Sequence, residues 1–299
     1  MGKTELLEEL ELPLEVINAD SMQVYRGLDI GTAKPAPALL RRIPHHLINV
    51  CEPSEQFHVG RFVEEANRLI PEIEGRGSLP VVSGGTAFYF KNLLYGLPDT
   101  PEATEESRRA IREELSEKGL PALYERLRRI DPESAERIEP RDEYRILRAL
   151  EVFRDSGRPR SAFREPTEPR EDLDFRALGL YRDRQGLYDR INRRVDQMFA
   201  AGLPEEVGRL VRSGVDAGAP AMRGIGYKEF FASASVEELA AEGLTDEQRR
   251  RIEGDVKKNS RRYAKRQITF FSRLPDVTWL EAGEEGELRR SATELFEET

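Results

Sequence analysis

The chain has 299 residues, a formal net charge of -9 and a single cysteine, Cys51, so an intrachain disulfide framework and a thiolate metal centre are excluded. With 34% charged and 38% hydrophobic residues it is a globular chain with a heavily charged surface, long enough for one large domain or two small ones. No apolar run approaches the roughly 20 residues that span a bilayer, no basic-then-apolar leader opens the chain, and His45, His46 and His58 lack metal-ligand spacing, so the cytosol is the expected compartment.

In chain order, Gly2-Lys3-Thr4 comes first. It matches the last third of the phosphate loop G-x-x-x-x-G-K-[ST], in which backbone N–H groups wrap phosphates, the Lys reaches their oxygens and the hydroxyl binds Mg²⁺. A tripeptide alone is equally readable as chance. Its position favours the loop, because a helix-like run ELLEELEL follows and then a strand predicted over Glu15–Ala19. The next stretch, Asp20 to Pro35, reads DSMQVYRGLDIGTAKP and leaves that strand at its carboxyl end. Parallel α/β sheets hold ligands there, so Asp20, Ser21 and Gln23 stand at the expected active edge. A carboxylate in that place serves as a general base or metal organiser, or simply caps a turn.

Further strands are predicted over His46–Val50, Leu79–Ser83, Phe175–Tyr181 and Val277–Leu280, with a helix from Val59 to about Arg76. Strand–helix alternation of this kind predicts an α/β fold, a parallel sheet flanked by helices. At Val82 to Tyr95 the chain reads VSGGTAFYFKNLLY, and Gly84-Gly85-Thr86 marks either a close approach to a ligand or a tight turn. Pro101–Glu168 has helical spacing and abundant Arg and Glu. Asp131-Pro132-Glu133 opens one of its helices, and Gly157–Pro169 forms the returning loop. Residues 101–169 are therefore read as a helical insertion in a core formed by residues 1–100 and 170–299. A second helical region begins at Leu187, and the glycine-interrupted Met222–Lys228 (MRGIGYK) suits an anion or a backbone held by converging N–H groups. Val256 to Arg273 carries seven basic residues and no acidic one, while Glu281 to Thr299 carries seven acidic residues against two arginines. The acidic total therefore masks a basic stretch, which is either a solvated helix face or a grip on a phosphate backbone.

Taken together, GKT, NADSMQVYRGLDIGTAKP, PHHLI, GGTAFYFKNLLYGLP, RILRALEVF, INRRVDQMFAAGLPEEV, MRGIGYKE and YAKRQITFF resemble the tRNA dimethylallyltransferase (isopentenyltransferase) family, in family order across nearly the whole chain. The resemblance implies a phosphate-loop NTPase-like core that transfers a dimethylallyl group from dimethylallyl diphosphate to N6 of the adenosine 3′ of the anticodon, in tRNAs reading codons beginning with U. It implies tRNA, dimethylallyl diphosphate and Mg²⁺ as partners and cofactor, no membrane, and a monomer. Asp20 is implied as the base and, with Ser21, Met22 and Gln23, as a contact of the extruded adenosine. Gly2, Lys3 and Thr4 are implied to hold the diphosphate, Thr4 through the metal, with Arg223 and Arg194 as its further cations. Thr86, Arg108, Tyr144, Arg145, Ile146, Leu147, Arg148, Arg223, Gly224, Ile225, Gly226, Tyr227, Lys228, Lys265 and Arg266 match segments that meet tRNA. The family also has a strand and glycines before GKT, so the start is expected to fall inside the loop, with about 10–20 residues preceding it and weak diphosphate binding as written. The rival readings are an adenylate isopentenyltransferase, a phosphate-loop kinase or NTPase, and a tRNA-binding protein without activity.

Overall fold

The computed structural model describes residues 2–10, 12–274 and 277–282, and the acidic tail beyond Ala282 lies outside them. The chain divides into two compact units, one built from the described residues up to Leu93 and from Asp172 onward, the other from Leu94–Glu171.

The first unit opens with α1 (Lys3–Glu9), β1 (Leu14–Ala19), α2 (Pro37–Arg42), β2 (His45–His46), α3 (Val59–Glu74) and β3 (Leu79–Gly84), and α4 (Ala87–Tyr95) follows. All six residues of β1 are buried, the pattern of a parallel strand covered on both faces. Its two polar members are satisfied. Asn18 donates to the Leu47 carbonyl at 3.2 Å, and Glu15 takes two hydrogen bonds from Arg76 and one contact from His46. The Arg76 guanidinium, with help from His46, holds the Glu15 carboxyl down to about 2 against the cost of burial. His45 contacts the Ile43 carbonyl, and burial lowers its pKa, so both histidines serve hydrogen bonding and packing.

The strands pair parallel in the order β2-β1-β3, and β1 runs in register with β3 from Leu14↔Leu79 to Ala19↔Gly84. The strand expected over His46–Val50 stops after two residues. Leu47 and Asn49 adopt left-handed φ of 61° and 57°, which bends the chain away from β1. The following residues pair instead with the loop after β1, through Val50 N–H to the Val24 carbonyl and Arg26 N–H to the Cys51 carbonyl. One face of α3 buries Phe62, Val63, Ala66, Leu69 and Ile73 in the main core, beside Ile17, Tyr89, Leu203 and Phe230.

The second unit is helical: α5 (Glu105–Ile130), kinked where Gly119 takes φ 74° ahead of Pro121, then α6 (Pro132–Arg137) and α7 (Glu143–Ser156). Asp131 caps α6 as its sequence predicts, accepting from Ser134 N–H and Oγ and also from Ser161 N–H in the returning loop. Ile111, Leu123, Leu127, Ile146 and Leu150 form a separate core there.

Back in the first unit come β4 (Ala177–Tyr181), α8 (Arg184–Ala200), α9 (Leu203–Arg212), α10 (Lys228–Phe231), α11 (Val236–Ala240), α12 (Asp246–Phe271) and β5 (Val277–Glu281). β4 and β5 pair parallel with each other, so the parallel strands of the described residues form two sheets rather than one. Leu178, Leu180 and Leu280 pack with Leu6, Leu14 and Val16 in a second cluster on the same unit. The fold is α/β, with parallel sheets flanked by helices.

Candidate active site and nucleic-acid interface

Because β1 and β3 end together at Ala19↔Gly84, the segments that follow them leave the sheet side by side. Thr86 N–H bonds to the Ala19 carbonyl at 3.0 Å. The Thr86 hydroxyl accepts from Ser21 N–H at 2.9 Å and donates to Ser21 Oγ at 3.3 Å. Asp20 lies in this knot, half-buried, and its Oδ1 accepts from Met22 N–H (2.9 Å) and Gln23 N–H (3.4 Å). Oδ2 has no hydrogen-bond donor among the described residues. One carboxylate oxygen thus fixes the turn and the other takes no part in it. Of the two alternatives for Asp20, the Oδ1 contacts show the cap. Cys51 is no competing nucleophile, since burial pushes its thiol up to about 11.

The paired glycines make room for the chain itself. A Cβ on Gly84 would lie 2.2 Å from the Ala19 backbone, and one on Gly85 2.4 Å from Gln267 Nε2. Gly85 in turn accepts through its carbonyl from Gln267 Nε2 (2.6 Å) and from the Tyr263 hydroxyl (3.2 Å), which ties α12 to the β3–α4 turn.

The rest of Asp20–Pro35 is held by a residue that sequence reasoning did not single out. Glu206 on α9 is 2% exposed. Its carboxylate accepts the N–H groups of Asp29 (2.9 Å), Ile30 (2.8 Å) and Gly31 (3.1 Å) and the Tyr227 hydroxyl (2.7 Å). The two carbonyls just beyond, of Thr32 and Ala33, accept from Gln23 Nε2 at 3.0 and 3.2 Å and so fix the Gln23 side chain beside Asp20. A Cβ on Gly31 would collide with the Tyr227 ring at 2.6 Å, so the glycine is needed where the two loops interlock. Burial and the facing Glu206 carboxylate raise the Tyr227 pKa and keep its phenol a donor. A second buried carboxylate, Glu229, accepts from Gly226 N–H (2.9 Å) and Asn259 Nδ2 (2.7 Å). The Gly226 N–H expected to converge on an external anion is thus taken by the chain's own Glu229.

The basic run divides along α12. Lys257 pairs with Asp196 and Glu253, and Arg261 donates to Asn192 at 2.6 Å, which fastens α12 to α8. Further along, one face of α12 (Arg262, Lys265, Arg266, Thr269 and Phe270), with Arg273 just beyond its end, lines an open groove of about 480 Å³. None of its four cations forms an ion pair among the described residues. A partly cationic face of this kind suits a phosphate backbone.

Asp20, Ser21, Met22, Gln23, Thr86 and Gly224 are brought together: Met22 lies where a Cβ on Gly224 would fall, at 2.4 Å. Arg223 and Lys228 are exposed at either end of their loop and Ile225 is half-buried. Tyr227 and Ile146, expected at the RNA surface, are fully buried, so their side chains pack in the cores instead. Arg108, Tyr144, Arg145, Leu147 and Arg148 belong to the second unit. There Tyr144 is 54% exposed, Arg108 pairs with Glu105, Arg145 pairs with Asp142, and Arg148 donates to the Pro101 carbonyl. Gly2 caps α1 with φ 80°, Lys3 begins that helix, and the Thr4 side chain lies outside the described part. Arg194 is an exposed position on α8.

Residues 23–274 match the family model described as IPP transferase. The chain belongs to the IPP transferase family. Among relatives, the tRNA dimethylallyltransferase of Geobacter sulfurreducens is 44% identical over 283 residues, 94% of this chain and 88% of that one. Among solved structures, the full-length tRNA isopentenylpyrophosphate transferase of Bacillus halodurans is 35% identical with a TM-score of 0.67, covering 99% of this chain and 91% of its own. A eukaryotic dimethylallyltransferase described as acting on tRNA is 28% identical with a TM-score of 0.75, covering 99% of this chain and 74% of its own. The IPP transferase match therefore takes in the Asp20 turn from Gln23 onward, the Thr86 turn, Glu206 and α12.

The family resemblance implies Mg²⁺. Among the described residues no group of three His, Cys, Asp or Glu gathers to hold an ion. An all-protein cage is thus not what these residues offer. Mg²⁺ commonly keeps waters and binds through one or two protein oxygens plus substrate phosphates.

Proposed function

We propose that this chain transfers a dimethylallyl group from dimethylallyl diphosphate to N6 of the adenosine 3′-adjacent to the anticodon, in tRNAs that read codons beginning with U. The observation that carries the reading is the Asp20 carboxylate at the sheet edge, one oxygen fixed by Met22 and Gln23 N–H and the other without a donor among the described residues. The exocyclic amine of adenine is a weak nucleophile. Its nitrogen lone pair forms the new bond to C1 of the dimethylallyl group as the C–O bond to diphosphate breaks. The electron pair of that bond leaves with the diphosphate, and the N6 proton passes to Asp20. The target base has to leave its stack to reach a carboxylate set in a turn.

Charge on the departing diphosphate is met by Lys3 and by Arg223, with Arg194 as a further cation. Mg²⁺, if held through Thr4 and the diphosphate, supplies additional neutralisation of that charge. The groove face of α12 holds RNA phosphates through Arg262, Lys265, Arg266 and Arg273. The names of the relatives and the exposed α12 face both favour tRNA over a free nucleotide, which needs no such surface.

The test offers labelled dimethylallyl diphosphate with tRNA, with AMP, or with neither. The expected result is label on tRNA alone. Label on AMP but not tRNA would overturn the reading in favour of a nucleotide prenyltransferase, and tight tRNA binding without transfer would overturn it in favour of an inactive binder.

A further inference from the structure

Tyr263 is where the basic face of α12 meets the Asp20 site. Its hydroxyl donates to the Gly85 carbonyl at 3.2 Å, one residue before Thr86. Burial of the phenol end and the neighbouring Asp20 charge raise its pKa, while contacts with Thr86 and Gln267 oppose that rise. The hydroxyl thus belongs to the same cluster as the proposed base. Tyr263 is 37% exposed, whereas Tyr227 and Tyr89, which serve the core, are 0% and 3% exposed. Arg266 stands one helical turn on, its guanidinium 5.7 Å from the centroid of the Tyr263 ring.

An aromatic ring anchored at its polar end and open on its body is a rigid contact surface that costs little ordering entropy. A tyrosine paired with a guanidinium matches the π-face of a nucleobase. RNA-binding surfaces stack unpaired bases on such groups because every base offers a face. Extruding one nucleotide toward Asp20 unstacks its neighbours. The Tyr263 hydroxyl bonds within the reacting cluster while the residue as a whole is 37% exposed, so its ring stands beside the centre with Arg266 over one face. Lys265 and Arg262 line the groove that Arg266 also lines, and offer cations to the connecting phosphates.

We propose that Tyr263 and Arg266 form a stacking platform for a nucleobase adjacent to the reacting adenosine. The inference rests on the RNA-modifying reading given above, and the experiment separates the two. Anticodon stem-loop RNA carrying 2-aminopurine at either position flanking the target is bound to the wild-type chain and to Tyr263→Phe, Tyr263→Trp and Tyr263→Ala. Fluorescence, transfer kinetics and Tm are measured for each. The platform predicts quenching at one flanking position by the wild type, Phe and Trp forms and its loss in Tyr263→Ala. It also predicts a KM for RNA raised roughly 10- to 100-fold in Tyr263→Ala alone, with the KM for dimethylallyl diphosphate unchanged.

Tyr263→Phe failing as badly as Tyr263→Ala would overturn the platform, because the hydroxyl bond to Gly85 would then be the whole role. Wild-type transfer with no quenching and no effect of Tyr263→Ala would overturn the platform and leave the activity standing. Quenching without transfer would keep the platform and overturn the activity.

Discussion

Glu206→Gln tests how the Asp20–Pro35 loop is held. The carboxylate takes four donors, two on each oxygen: Asp29 and Ile30 N–H on Oε2, Gly31 N–H and the Tyr227 hydroxyl on Oε1. A carboxamide of the same shape keeps one acceptor oxygen and turns an NH₂ toward the other pair of donors. At least one buried backbone N–H then loses its acceptor whichever way the amide faces, and two do if it faces Asp29 and Ile30. At about 1–3 kcal/mol for each orphaned group and more against a facing NH₂, the loss is about 4 kcal/mol. For a unit of roughly 200 residues that lowers Tm by roughly 8–16 °C. Because the same turn supplies the carbonyls that fix Gln23, kcat/KM for RNA falls about 10-fold or more even at temperatures where the variant is folded. Tyr227→Phe removes one donor and leaves the three N–H bonds in place, so its cost is about 1 kcal/mol. In the double variant the two effects sum to less than their separate values. Differential scanning calorimetry and steady-state kinetics on the three variants check this. A Glu206→Gln protein within about 1 kcal/mol of wild type, with normal kcat/KM for RNA, would refute the reasoning.

Other expectations follow from single contacts. Gly84→Ala places a methyl 2.2 Å from the Ala19 backbone and forces β1 and β3 apart, a loss of about 3 kcal/mol or more measurable by denaturant titration. Glu15→Gln probes the opposite end of β1. The folded carboxyl is depressed to about 2, so its contribution is full above the ordinary carboxylate range and is lost as pH falls toward about 2. The stability gap between variant and wild type is therefore widest near neutral pH and closes from about pH 4.5 downward, as urea melts across that window will register. The pair Lys265→Ala and Arg266→Ala weakens RNA binding without sequence preference. The slope of log K against log salt falls by about 1–2 in magnitude, read from filter-binding or anisotropy titrations.

The central strands were legible as short, largely apolar runs, although β1 also buries Glu15 and Asn18 and β3 is only half-buried. EVINA and LPVVS accordingly fall within a residue of β1 and β3. Asp20, Ser21 and Thr86 were legible as a group for a related reason: two parallel strands in register deliver whatever follows them to one place. HLINV was misread in length because apolar content does not reveal left-handed φ at Leu47 and Asn49. Glu206 left no local signal. Three of its four partners are backbone groups 175–177 residues away, which any residue type could supply. Tyr263 did leave one, an aromatic set inside a basic run, but a linear pattern does not show that its hydroxyl reaches Gly85. The glycines of SGGT read as a close approach to a ligand or a tight turn, and those of GIGYK as letting N–H groups converge on an anion or a backbone. Their neighbours, Ala19, Gln267 and Glu229, belong to the chain itself.

The most direct measurement of the account is single-turnover transfer by wild type and Asp20→Asn, with dimethylallyl diphosphate and an anticodon stem-loop RNA, followed by mass spectrometry of the modified nucleoside. The account predicts one dimethylallyl group on N6 of the adenosine 3′ of the anticodon. It also predicts a rate about 10²- to 10⁴-fold lower for Asp20→Asn, with RNA affinity within about threefold of wild type. An Asp20→Asn protein that transfers at the wild-type rate would contradict it.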